Sequence, residues 1–409
     1  MTVAANSGGS SVGGTANIDV GDWGENILYV EAIDNAGNAS AVWDYYFTAP
    51  WNPASMATPG DVNGDGIPDL LATTSASTST LDLFPGTSAS AVDFSSTAQA
   101  SQAGDSPDQG NDWNQFDITH RGSISGTDVD DLFALGGNSL YLMLNNKTST
   151  DQYTTSNIVT NPECSTSYDA SNNCTGYVYN SALTDEWQTP ASGNTNLISQ
   201  ILAVGPVGNS GNTNLVAVEN GELYFFTGQG GGQFGTGLNW QTGDTPGPVL
   251  IGSSTGSGSS DATTWADMTL LAPGTEGPPG TITIWARDNN TADTTYGDIY
   301  SYTITFTNGI PSLSSSGPVT AASGTLLDYA TGSDAGQPVN IPASTYPAIA
   351  TPGNADGPAC IYAINTSGDV DEYAGYQTSG VPGSSTPQEL LQPATQVATV
   401  PAGSITQLS

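Results

Sequence analysis

Five times the chain writes a short β-run of one form: a variable residue, Leu or Ile, a large apolar residue, Ala, and a fifth residue. The copies are Asp69-Leu70-Leu71-Ala72-Thr73, Asp131-Leu132-Phe133-Ala134-Leu135, Asn214-Leu215-Val216-Ala217-Val218, Thr283-Ile284-Trp285-Ala286-Arg287 and Cys360-Ile361-Tyr362-Ala363-Ile364. A turn and an aromatic-rich second strand follow each, as in Leu81-Asp82-Leu83-Phe84, Leu140-Tyr141-Leu142 or Leu223-Tyr224-Phe225-Phe226. A repeat of roughly 60 to 80 residues is too long for one coil of a solenoid and suits a four-stranded blade with long loops. A four-stranded sheet cannot bury both faces alone, so the aromatics must wedge between neighbouring blades. The expectation is an all-β, five-bladed β-propeller over residues 51–409, with blades starting near 51, 113, 197, 265 and 345, each run forming an inner or middle strand. An ordinary sandwich with similar hairpins is the alternative.

The repeat extends upstream of each run. Ala57-Thr58-Pro59-Gly60, Thr119-His120-Arg121-Gly122, Ala203-Val204-Gly205, Leu271-Ala272-Pro273-Gly274 and Ala350-Thr351-Pro352-Gly353 all end on Gly, and Trp51, Trp113 and Trp265 each stand nine positions before theirs. The 50 Gly and 25 Pro supply turns throughout. No long stretch has helical periodicity, and residues 389–392 amount at most to one helical turn.

Charge excludes whole classes of partner. Three basic residues (Arg121, Lys147, Arg287) face 39 acidic ones, a formal net charge of −36. Nucleic acid binding needs Lys and Arg to displace counterions from phosphates, and an anionic membrane would repel this chain. No stretch is apolar and long enough to span a bilayer. A surface of hydroxyls, amides and scattered acids suits a secreted module that meets cations, neutral glycans or proteins. Met1 is followed by neither a basic nor an apolar leader region, so an export signal is expected upstream of this start. Cys164 and Cys174, with nine residues between them, sit in a polar loop that a local disulfide can close, a metal pair being the alternative. Cys360 reads as a small buried hydrophobe.

Residues 1–48 differ from the rest. Ile27-Leu28-Tyr29-Val30-Glu31-Ala32 and Val42-Trp43-Asp44-Tyr45-Tyr46-Phe47 form two strands around the turn Asp34-Asn35-Ala36-Gly37-Asn38. They resemble the last two strands of a bacterial immunoglobulin-like or fibronectin-like repeat. A whole sandwich needs about 100 residues, so the repeat is incomplete and the chain is expected to belong to a longer protein.

Asp61-Val62-Asn63-Gly64-Asp65-Gly66-Ile67-Pro68-Asp69-Leu70 resembles the repeat motif of FG-GAP/VCBS-type β-propellers of secreted bacterial proteins. His120-Arg121-Gly122 through Phe133, and Trp285-Ala286-Arg287-Asp288, look like the degenerate blades of the actinobacterial branch. The resemblance covers residues 51 to about 385 and weakens after the first blade. It implies a secreted binding or adhesion module fused to further domains, and names no ligand.

The chemistry on offer is mostly that of calcium. Asp61, Asn63 and Asp65 alternate along a tight loop, Gly66 permits the sharp turn, Ile67 offers its carbonyl and Asp69 closes the cage. Oxygen donors so spaced suit Ca²⁺, which tolerates irregular geometry. Asp and Asn also build turns by bonding their own backbone, the competing reading. Elsewhere the ligands are lost: Gly353–Gly357 lacks the closing Asp, and Ser123–Asp131 keeps Asp128, Asp130 and Asp131 without the alternating start. One strong site and at most one weak one are expected. Nucleophilic catalysis would have to use His120, the one His, which stands beside Arg121 at a repeat position held elsewhere by Pro59 and Pro273 and so reads as structural. No catalytic residue is assigned. The expected function is a non-catalytic extracellular module that binds a glycan or protein or acts as a rigid spacer; the competing function is a carboxylate-only glycoside hydrolase, which needs two acids facing one another across the funnel.

Overall fold

The computed structural model describes residues 24–30, 38–49, 58–75, 79–88, 91–107, 112–124, 127–136, 139–146, 151–154, 156–159, 162–164, 177–179, 198–206, 212–230, 233–235, 248–253, 264–274, 281–307, 310–318, 320–321, 339–353, 359–376, 390–391 and 394–409. Five antiparallel sheets follow one another as the blades of a propeller. Blade 2 runs from inner to outer strand as Asp117–His120, Leu132–Gly136, Ser139–Met143 and Ser156–Val159. Blade 3 comprises Ile198–Pro206, Thr213–Glu219, Glu222–Gly230 and Val249–Gly252, with Gln233–Gly235 also paired to its third strand. Blade 4 comprises Met268–Leu271, Ile282–Asp288, Ile299–Thr307 and Ile310–Pro318, and blade 5 Ala348–Ala350, Ile361–Ile364, Asp369–Tyr373 and Thr395–Thr399.

Blade 1 is assembled from both ends of the domain. Its second to fourth strands are Leu70–Thr74, Leu81–Phe84 and Ala98–Ser101, but its innermost strand is Ile405–Leu408. Leu71 and Ser409 exchange both backbone hydrogen bonds at 2.8 Å. The ring is thus closed by pairing the last strand with the first run, which leaves no open edge between blades 5 and 1.

The five runs are the second strands, and their period-2 alternation explains the repeat. Five apolar clusters fill the five interfaces between blades. In each run the Leu or Ile and the Ala face the preceding blade, while the large residue between them faces the following one. Phe133 of blade 2 therefore shares a cluster with Ala217 of blade 3. Val216 meets the cluster of Ala286, Trp285 that of Ala363, Tyr362 that of Ala72, and Leu71 that of Ala134. The Ala is small because the neighbouring blade delivers a large side chain opposite it. Trp113 and Trp265 open one-turn 3-10 helices just before inner strands and are fully buried in the interfaces behind them.

One detail departs from expectation. Leu390–Leu391 is not a helical turn: it pairs with Thr320–Ala321 and Gly375–Tyr376 in a small separate sheet. Leu391 is buried in the cluster between blades 4 and 5, a long-range packing that local pattern cannot reveal. In the N-terminal segment, Gly24–Val30 pairs antiparallel with Trp43–Ala49. The Cys164–Cys174 bridge lies outside the described residues, since Cys174 and the Cys164 side chain are not among them.

Candidate functional site

The first-blade loop uses its acids as anchors for backbone amides. Asp61 accepts from the N–H groups of Gly64 (2.7 Å) and Gly66 (2.8 Å). Asn63 Oδ1 accepts from Asp65 N–H, and Asp65 Oδ1 from Ile67 N–H, each an Asx turn. Asp69 receives Val62 N–H, Asn63 N–H, the Asn63 amide and, from the far end of the next hairpin, Gly86 N–H at 2.8 Å. Burial raises the Asp61 carboxyl to about 7 against the lowering effect of its amide donors, and raises Asp69 to about 6 in the same way. The donor set is all oxygen and suits a hard cation. As folded, however, these carboxylates hold amides, and among the described residues no three Asp, Glu, His or Cys side chains gather as a cage.

The residue that closes the loop motif recurs as a structural pin. Asp131 in blade 2 accepts from Ile124 N–H and the Ser123 hydroxyl on one oxygen and from Asn145 N–H (3.2 Å) on the other. Asn214 in blade 3 accepts from Gly228 N–H (3.2 Å) and donates to the Gly205 carbonyl. In all three blades this side chain ties the Gly turn before the second strand to the chain leaving the third. That role accounts for an oxygen-bearing side chain at this position in blade 3, whose loop holds no other acid.

Asp130 and His120 join blades 1 and 2. The fully buried Asp130 carboxylate accepts from Gly60 N–H (2.8 Å) and Gly122 N–H (2.6 Å), and lies 3.0 Å from His120 Nδ1. His120 Nε2 is 3.2 Å from the Ser409 carbonyl, so the imidazole braces the closing strand. The structural reading of His120 follows from these contacts.

The five inner strands enclose an axial channel of about 160 Å³. At its floor stand the five Gly turns, all in the left-handed region (φ +103, +81, +80, +105 and +87° at Gly60, Gly122, Gly205, Gly274 and Gly353). Arg121 lies across this floor, its guanidinium donating to the carbonyls of Ala272 in blade 4 and of Thr351 and Pro352 in blade 5. Side chains also stitch the inner strands together where backbone donors lack a ladder partner. Gln407 donates to Asp117 (2.6 Å), whose other oxygen accepts Ile201 N–H. Thr119 accepts Ala203 N–H, and Gln200 accepts Leu270 N–H. A wider hollow shares Asp117, Gln200, Thr406 and Gln407 with the channel at its opposite end. Asp117 is the one side-chain carboxylate among the described lining residues, and burial raises it to about 6.

Sequence reasoning brought forward the first-blade acids and raised the funnel without identifying the residues that line it. Arg121 and Arg287 entered through the charge count and the degenerate-blade motifs and not as channel residues, although their rarity in so acidic a chain was itself a signal. Asp117, Gln200 and Gln407 carry no repeat pattern. Of the aromatics whose rings could stack on a sugar, Trp113 is core, and the side chains of Trp187, Trp240 and Tyr376 lie outside the described residues.

A closed ring of five blades around a polar axis defines a β-propeller. No family model matches the chain, and no curated protein matches it. Among solved structures, a crystal structure of BBS1N in complex with ARL6DN aligns over 85% of this chain and 84% of that one, with a TM-score of 0.34 and 12% identity. The propeller assignment rests on the five sheets and their closure.

Proposed function

We propose that this chain is a non-catalytic extracellular binding module that presents its axial channel to a glycan or protein ligand. The carrying observation is the channel itself: a closed ring around hydroxyl and amide groups, with one side-chain carboxylate on the described lining. Such groups orient a polar ligand, while glycoside hydrolysis requires a second positioned acid facing Asp117. The purified chain is tested on a panel of plant, fungal and bacterial polysaccharides for retention and for product release. Retention without release supports the module. Release abolished by Asp117→Asn overturns it in favour of the hydrolase.

Secretion, membership of the FG-GAP/VCBS-type propellers and calcium in the first blade belong to the same proposal, and their support is the Asp61–Leu70 motif. A bound Ca²⁺ would draw on Asp61, Asn63, Asp65, Asp69 and the Ile67 carbonyl in competition with the loop's amides, and would favour the ionised form of two carboxyls that burial now raises. Calcium at about 100 times its dissociation constant stabilises by about 2.7 kcal/mol. Chelation should therefore lower the melting temperature, and Asp61→Ala with Asp65→Ala should abolish that response. An unchanged melting temperature leaves the loop a self-satisfied turn.

A further inference from the structure

We propose that the axial channel is an anion site, and that its ligand is a small carboxylate bearing several hydroxyls, the chemistry of a uronic acid. The inference rests on the channel being the binding site and adds the charge of what enters it.

The first support is where the cations are. The chain has three Lys and Arg residues and one His against 39 acids. Arg121, Arg287 and His120 all line this one cavity. His120 is matched by Asp130, but neither arginine has a carboxylate within salt-bridge distance among the described residues. Arg121 feels the Asp130 carboxylate from beyond contact distance, but neither buried guanidinium has a carboxylate directly against it, and a buried charge without a contacting counter-ion is costly. Arg121 is held by the carbonyls of Ala272, Thr351 and Pro352, and Arg287 by the Tyr346 carbonyl, Asn289 and Thr269. Carbonyl dipoles orient a guanidinium without neutralising it.

The second support is independent of charge counting. Arg121 Nε is buried and has no hydrogen-bond partner. A buried donor left unsatisfied is costly, and this one belongs to a side chain that lines the channel. Around it the lining offers Thr119, Thr269, Thr351 and Thr406 hydroxyls with the Gln200 and Gln407 amides. That combination suits a ligand with one anionic end and several hydroxyls. The volume of about 160 Å³ is about ten times what one water requires, enough for a single small molecule. The acidic exterior does not forbid entry: the Debye length is about 8 Å at physiological salt, which screens exposed acids but not groups inside the channel.

The test titrates the intact protein with D-glucuronate, D-glucose and acetate by calorimetry at constant ionic strength. Glucuronate is expected to bind at least about tenfold more tightly than either of the others, about 1.4 kcal/mol. Arg287→Gln should bring glucuronate down to the level of glucose. Ala266→Trp, at an exposed rim position of the entrance hollow, should block binding without altering charge, and it serves if Arg287→Gln does not fold. Equal affinity for glucuronate and glucose overturns the anion inference and leaves the module standing. Acetate binding as tightly as glucuronate overturns the polyhydroxylated ligand. Glucuronate binding that survives Ala266→Trp removes the site from the channel. No binding of any of the three overturns the anion inference, while retention on a polysaccharide or protein would preserve the module.

Discussion

Deleting residues 404–409 should open the ring. Those residues contribute the Leu71–Ser409 pair of backbone bonds and the Ser75 N–H bond to the Ser404 carbonyl. At about 1 kcal/mol each they are worth about 3 kcal/mol. Leu408 is buried in the cluster between blades 5 and 1, which adds about 2 kcal/mol. Gln407 bonds Asp117 and both the N–H and the carbonyl of Ile118, a charge-assisted contact worth about 1.5–3 kcal/mol. The gross loss of about 6–8 kcal/mol is comparable to the whole stability of many domains, about 5–15 kcal/mol. At about 2 °C per kcal/mol for a large domain, the melting temperature should fall by about 12 °C or more, or the cooperative transition should vanish. Differential scanning calorimetry reads this directly, and a synthetic peptide spanning residues 402–409 added in trans should restore part of the loss. A truncated chain melting within about 2 °C of the parent would refute the closure by the last strand.

Phe133→Ala should cost about 3–5 kcal/mol and Ala217→Phe about 1–3 kcal/mol; in denaturant titrations the double variant should be less destabilised than their sum, and strict additivity would mean the two do not share space. Gly60→Ala should be far more damaging than Gly66→Ala: both positions have positive φ, but a Cβ at Gly60 collides with the Pro352 carbonyl and the Arg121 guanidinium, whereas none is met at Gly66, where about 1–2 kcal/mol of backbone cost remains. Equal losses would deny the crowding on the channel floor. Folding raises the Asp117 pKa from 3.8 to about 6, so between those values the folded chain holds the extra proton and its stability falls as pH climbs through that window. Asp61, Asp69 and Glu219 shift the same way, so the measurement is the difference in slope: Asp117→Asn should flatten the profile, and an unchanged slope would place the titration elsewhere.

The five-fold architecture was legible because a propeller repeats its local constraints. Each run must bury both faces of a second strand, and each must present Leu or Ile with Ala to one neighbour and a large residue to the other. That requirement is written into consecutive residues. The Gly turns were legible for the same reason, since a left-handed residue recurs at each approach to the axis. The first-blade acids were visible as a pattern of alternate oxygen donors, and so was the competing turn reading.

The sequence by itself determined the number of blades and the alternating burial of their second strands, because each depends on neighbouring residues. The tertiary structure alone decided that Ile405–Leu408 belongs to blade 1 and that Asp130 serves Gly60 and Gly122 at once. It alone brought Arg121, Arg287 and His120 to one channel in a chain with almost no other cations. Those facts join residues tens to hundreds of positions apart around a closed ring, and only closure of that ring makes them neighbours.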